Sequence, residues 1–88
     1  MNADTMQPRL NLNGTAARSL IEDRMAVLNA IEALMTAMQQ TGPHGRDYIG
    51  DADAFGHARK VYCDRFNLLD KLRNDVTDEA LAIQTAAA

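Results

Sequence analysis

Two long stretches of helical periodicity, broken by one glycine-rich loop, limit what this chain can fold into more than any other feature. Stepping roughly 100° per residue along residues 15–41 gathers Leu20, Ile21, Val27, Leu28, Ile31, Leu34, Met35 and Met38 on one face. The same step along residues 52–76 gathers Phe55, Ala58, Val61, Tyr62, Leu69, Leu72 and Val76. Between them lies GPHGRDYIG, residues 42–50, which packs three glycines and a proline into a short shaped turn. Each apolar stripe must be covered by another element. The pattern therefore predicts an all-α fold, an antiparallel two-helix hairpin.

The boundaries follow from local signals. Residues 1–8 read as a disordered lead closed by Pro8, and residues 9–84 as one helical-hairpin domain. Arg9–Asn13 alternates apolar and polar residues but has no strand to pair with, so it reads as a short extended arm. Thr15 is the expected N-cap of helix 1, with Asn13 competing for that place. Helix 1 is expected over 15–41, with Gly42 at its C′ position and Pro43 blocking continuation. The loop spans 42–51, and Asp51 or Asp53 caps helix 2, expected over 52–76. Thr77-Asp78-Glu79 resembles a fresh helix start, which predicts a kink or a short third helix over 78–84. Residues 85–88 should fray.

An arginine falls inside each stripe, Arg24 in the first and Arg65 in the second. An unpaired buried charge is very costly, so each arginine needs an anion, water or an escape to the rim. Two readings are open. The arginines form an anion site between the helices, for a phosphate or a partner's carboxylate, since the guanidinium fork suits both. Alternatively they are structural ion pairs, with Asp23, Asp64 or a symmetry mate's acid as partner. In a simple antiparallel hairpin the two lie at similar but not identical heights. In the loop, Arg46 and Tyr48 could hold a nucleobase by charge and stacking, or Asp47 fixes Arg46 and Tyr48 closes the open end of the hairpin.

The chain has 88 residues, 47% hydrophobic, with alanine supplying much of that and no tryptophan. A domain of this size is marginal alone, and two helices cannot cover each other's stripes completely. Association into a dimer or a larger helical bundle is expected. The formal net charge of −3 disfavours DNA binding, which needs a basic field. No apolar run approaches the ~18 residues of a membrane span, and Met1–Arg9 lacks the apolar stretch of a secretory signal. The single cysteine, Cys63, fits a reducing cytosol. His44, His57 and Cys63 lack metal-site spacing, no cofactor is implied, and Ser19, the only serine, has no partner base. The expectation is a cytoplasmic protein that is not an enzyme.

The segments LNLNGT (10–15), LIEDR (20–24) and GRDYIGDADAF (45–55) resemble a group of small phage and prophage proteins. That group joins an NLNGT entry and a helix to an RDYY turn and a second helix with an inward arginine. This chain departs from it at Ile49, where a second tyrosine would stand. The resemblance implies a phage-encoded accessory protein working in the bacterial host cytoplasm. A looser analogy, of architecture and chemistry only, is to the phage nucleotide sponges, small helical oligomers that sequester signals of antiviral defence. The resulting expectation is a counter-defence protein that sequesters a small anionic ligand, most simply a nucleotide signal. Arg24 and Arg65 would carry the phosphate charge, Arg46 and Tyr48 would engage base or ribose, and Asn11, Asn13 and Thr15 would add polar contacts from the arm. The alternatives are a helical inhibitor or adaptor of a host protein, and a structural component of phage assembly.

Overall fold

The computed structural model describes residues 4–6 and 14–87, the side chains of residues 14 and 15 excepted. Two long helices pack against each other, and the described residues contain no strand. Helix α1 spans Gly14–Met38, and a 3₁₀ turn follows at Gln39–Thr41. Helix α2 spans Ala52–Ala87. A second 3₁₀ turn, Gly45–Tyr48, lies in the loop between them. The molecule measures 61 × 23 × 13 Å, the outline of a rod.

The first helix ends earlier than its periodicity suggests. Thr41 Oγ1 donates to the Met38 carbonyl at 2.7 Å, which tightens the last turn to 3₁₀, and Pro43 brings no N–H to extend it. Gly42 is not a left-handed terminator. Its backbone is extended, with φ −60° and ψ 130°. The left-handed glycine is Gly50, at φ 80°, one residue before the cap of α2. Asp51 Oδ1 accepts from the Ala54 N–H at 3.0 Å, so Asp51 rather than Asp53 caps that helix. At the other end, α1 opens at Gly14. Thr15 therefore stands in the first turn and not at the cap, while Asn11 and Asn13 lie outside the described residues.

The second helix does not stop at Val76. It continues unbroken through Thr77-Asp78-Glu79 to Ala87, replacing both the expected third helix and the frayed tail. Thr77 turns its hydroxyl back to the Arg73 carbonyl, at 2.8 Å, so it bonds within the helix instead of capping a new one. Asp75 and Glu79 are the two buried acids, and each is matched by a cation: Lys71 Nζ lies 2.7 Å from Asp75, and Arg24 Nε lies 2.9 Å from Glu79. Residues 4–6 of the lead meet this part of α2. The Met6 N–H donates to Glu79 Oε2 at 2.7 Å, and Lys71 Nζ also bonds Asp4.

The loop sets the register of the hairpin. A Cβ on Gly42 would meet the Tyr62 ring at 3.5 Å, and one on Gly45 would meet Phe55 at the same distance. The loop thus runs back along the first turns of α2 as a strap, and α2 begins beyond the end of α1. Arg24 pairs with Glu79, and Glu32 with Arg73 at 3.0 Å. This offset places Arg65 level with the Gln39–Thr41 turn, about four turns, or roughly 21 Å, from the height of Glu79 and Arg24. The expectation that the two arginines lie at similar heights is therefore not met, because it took the loop as a simple apex.

Packing runs along one seam on each helix. On α1 the inward positions include Ala17, Ile21, Leu28, Ile31 and Met35. On α2 they include Tyr62, Phe66, Leu69, Val76 and Ile83. Among the described residues the buried apolar side chains are few: Ala17, Ile31 and Ile83. Val27, Leu34 and Leu72 were expected to face inward, but each stays close to half exposed.

Candidate functional site

Arg24 lies within the seam, where an unpartnered charge could not stay. Its Nε donates to Glu79 Oε1, the two side chains being 16% and 7% exposed, and its Nη1 reaches the Leu20 carbonyl at 3.3 Å. Glu79 spends its second oxygen on the Met6 N–H. Beside this pair, Lys71 joins Asp4 of the lead to Asp75 of α2. The hydrogen bond that Lys71 donates to Asp4, then the one it donates to Asp75, holds its ammonium well above its ordinary range. The same Lys71 bond draws the Asp4 carboxyl below its own. Arg24 is thus a structural ion pair whose partner is neither Asp23 nor Asp64. Asp64 pairs instead with Lys60, one turn away, at 2.7 Å. Glu79 already occupies the Nε side of this guanidinium and the Leu20 carbonyl meets Nη1, so Arg24 is engaged within the fold.

The opposite end of the hairpin is different. Between the loop and the start of α2 lies a cleft of about 610 Å³ whose walls include Gln40, Thr41, Asp47, Tyr48, His57, Tyr62 and Arg65. The loop wall is fixed locally. His44 Nδ1 accepts from the Arg46 N–H at 3.0 Å, capping the Gly45–Tyr48 turn. Tyr48 stacks on Phe55, with ring centroids 5.7 Å apart and planes inclined by 13°. The Arg59 guanidinium carbon sits 5.7 Å from the Phe55 centroid, within range of a cation–π contact. Tyr62 is held edge-on to Phe66, centroids 4.9 Å apart. Both tyrosines of the cleft are therefore braced by a neighbouring ring.

The cations of this end differ from Arg24. Among the described residues, no ion pair engages Arg65, Arg46 or His57. Arg65 is exposed because α1 has ended before its level, so the stripe position costs it no desolvation. The cleft carries a guanidinium from Arg65, an imidazole from His57 and a carboxylate from Asp47. It offers donors, a cation and two ring faces or edges, which suits holding a small polar anion with an aromatic part. Cys63 is exposed and faces a shallower groove with Gln39, Tyr62, Phe66 and Asn67. No group of three potential metal ligands occurs among the described residues, and no described helix is long and apolar enough to cross a membrane.

Of the residues singled out from sequence, the fold brings Arg65 and Tyr48 together in the cleft. Arg46 stands beside it without lining it. Arg24 is at the far end, and the contacts expected of Asn11, Asn13 and the Thr15 side chain fall outside what is described. Sequence reasoning missed Glu79, His57 and Tyr62. Glu79 had a signal: Lys71, Asp75 and Glu79 recur at i, i+4 and i+8, continuing a line begun by Leu68 and Leu72. A charged run on an apolar line demands partners as surely as Arg24 does. His57 had none, since only the strap of the loop makes a wall opposite it. No family model, curated protein or solved structure matches the chain.

Proposed function

We propose that this chain is a non-enzymatic, self-associating binding protein that sequesters a small anionic ligand of the nucleotide class in the cleft at its hairpin end. The observation that carries the reading is Arg65: a guanidinium engaged in no ion pair among the described residues, set in a cleft with two braced tyrosines, His57 and the polar ends of Gln40 and Thr41. A phosphate would take the guanidinium fork, and a base would lie against a tyrosine ring. The resemblance to small phage proteins gives such a binder its setting, counter-defence in a bacterial host's cytoplasm. Its test is a thermal-shift screen of the full chain against linear and cyclic nucleotides and inorganic phosphate, repeated with Arg65→Ala. Stabilisation by a nucleotide that vanishes in the variant supports the reading, and a folded, ligand-free protein that responds to none of them overturns it.

A second reading, a helical inhibitor or adaptor of a host protein, draws on the apolar side chains left uncovered along the middle of the hairpin. Leu68 is 69% exposed. Recovery of one stoichiometric host protein with the tagged chain would favour it.

A further inference from the structure

The oligomer in that reading has no assigned face, and the helix surfaces supply one. Beside its inward line, α1 carries a second heptad line, and α2 carries two outward leucines. On α1 the inward line is matched by a second, one residue out of step, through Val27, Ala30, Leu34 and Ala37, spaced 3-4-3. All four are exposed. On α2 the outward leucines are Leu68 and Leu72, which are also exposed. These outward lines open on the same side of the hairpin, since Val27 and Leu72 line one shallow groove. Heptad spacing on a helix specifies a partner helix, with knobs entering holes on the facing surface. Here the inward lines satisfy each other, and the outward lines meet another described segment only at the Val27–Leu72 groove, which Asp4 and Met6 of the lead also line.

We infer that a second copy of this chain covers this face, the two hairpins forming a four-helix bundle about a twofold axis. The surface area supports that occupant. The chain exposes 6459 Å², whereas a compact monomer of 9.6 kDa exposes about 5,100 Å². The surplus is roughly 1,400 Å², more than the ~800 Å² each partner contributes to a stable interface. A twofold dimer presents one self-complementary patch to itself, and it removes Val27, Leu34, Leu68 and Leu72 from water together. The small Ala30 and Ala37 let the backbones approach between the larger knobs. At one end of the face the lead sits on Asp75 and Glu79, which confines the patch to the middle of the hairpin.

The inference rests on the oligomeric part of the proposed function and names its face, and one experiment separates the two. Sedimentation equilibrium of the full chain, with circular dichroism as a fold check, is run on the wild type, Leu34→Glu, Leu68→Glu and Leu81→Glu. Leu81 is 55% exposed and lies off the outward line. The expected result is a wild-type dimer, a folded monomer for the first two variants and a retained dimer for Leu81→Glu. Should a glutamate variant fail to fold, Leu34→Ala and Leu68→Ala decide, each expected to weaken the dimer by about tenfold or more. A monomeric wild type overturns the oligomer and the face together. A dimer insensitive to substitution at Leu34 and Leu68, by glutamate or by alanine, overturns the face while the oligomer stands.

Discussion

Arg24 and Glu79, separated by 55 residues of chain, meet through a 2.9 Å bond between Nε and Oε1. Because Glu79 also accepts the Met6 N–H, it ties α1, α2 and the lead at one point. Charge satisfaction here is reciprocal: the arginine that could not stay unpaired in the first stripe supplies the cation that lets an acid stay in the second.

That reciprocity predicts a non-additive cycle. Breaking a buried pair leaves one uncompensated charge and costs about 3 kcal/mol or more, whereas replacing both members by apolar residues is often near neutral. Glu79→Leu and Arg24→Leu should each destabilise the fold by about that amount, and the double variant by less than either. Urea unfolding at one protein concentration measures it. Two small, additive single effects would show that the pair holds nothing together.

The turn before α2 gives a sharper local prediction. Gly50 has φ 80°, with nothing within 4 Å of where a Cβ would stand. The penalty of Gly50→Ala is therefore backbone strain alone, about 1 kcal/mol, and Gly50→Asn should cost less. Gly42 has φ −60° and an added Cβ would make ordinary contact with Tyr62. Gly42→Ala should therefore stabilise by roughly 0.5 kcal/mol through the unfolded chain. Equal losses from both alanine substitutions in thermal unfolding would contradict this assignment of the left-handed residue.

These elements also show where sequence was informative. The hairpin was legible because 3.6-residue periodicity and a Gly/Pro break are local properties. The continuity of α2 was not, because Thr77-Asp78-Glu79 reads equally as a helix start and as a helix interior. Only Arg24, Met6 and the Arg73 carbonyl, all supplied by the fold, choose between them. Arg65 and Tyr48 were legible as a charge and a ring near one end, but their meeting depends on the loop lying back over Tyr62 and Phe55. No spacing rule encodes that strap, and without it Arg24 and Arg65 fall at similar heights.

The lead should respond to acid. Asp4 titrates below its ordinary 3.8 because of the Lys71 hydrogen bond, so its contribution is fully present above that ordinary value and is lost as pH falls through the lowered one. Lys71 titrates above its ordinary 10.5, chiefly through Asp4 and then Asp75, so its contribution is fully present below 10.5 and is lost only as pH rises through the raised value. The clip should therefore hold across the neutral range and open only in strong acid or strong base. The Met6 amide shift, followed by NMR from neutral pH into acid, reports the docking. Release of Met6 already between pH 7 and 5 would exclude Asp4–Lys71 as its anchor.

The two arginines should separate stability from binding. Arg24 is needed by Glu79, whereas Arg65 is exposed and engaged in no ion pair among the described residues. Arg65→Ala should leave unfolding within about 0.5 kcal/mol of the wild type, as surface substitutions commonly do, while removing the cation that a phosphate would meet. A nucleotide that binds only the folded protein stabilises it by ~2.7 kcal/mol at a hundredfold excess over its dissociation constant, an increment easily read as a melting shift. That shift should disappear in Arg65→Ala and shrink in Tyr48→Leu, which keeps the charge but removes the ring. Arg46 stands beside the cleft without lining it, so Arg46→Ala should reduce the shift less than Arg65→Ala. If Arg65→Ala retains the full nucleotide shift, the bound anion lies elsewhere and the cleft loses its claim to be the site.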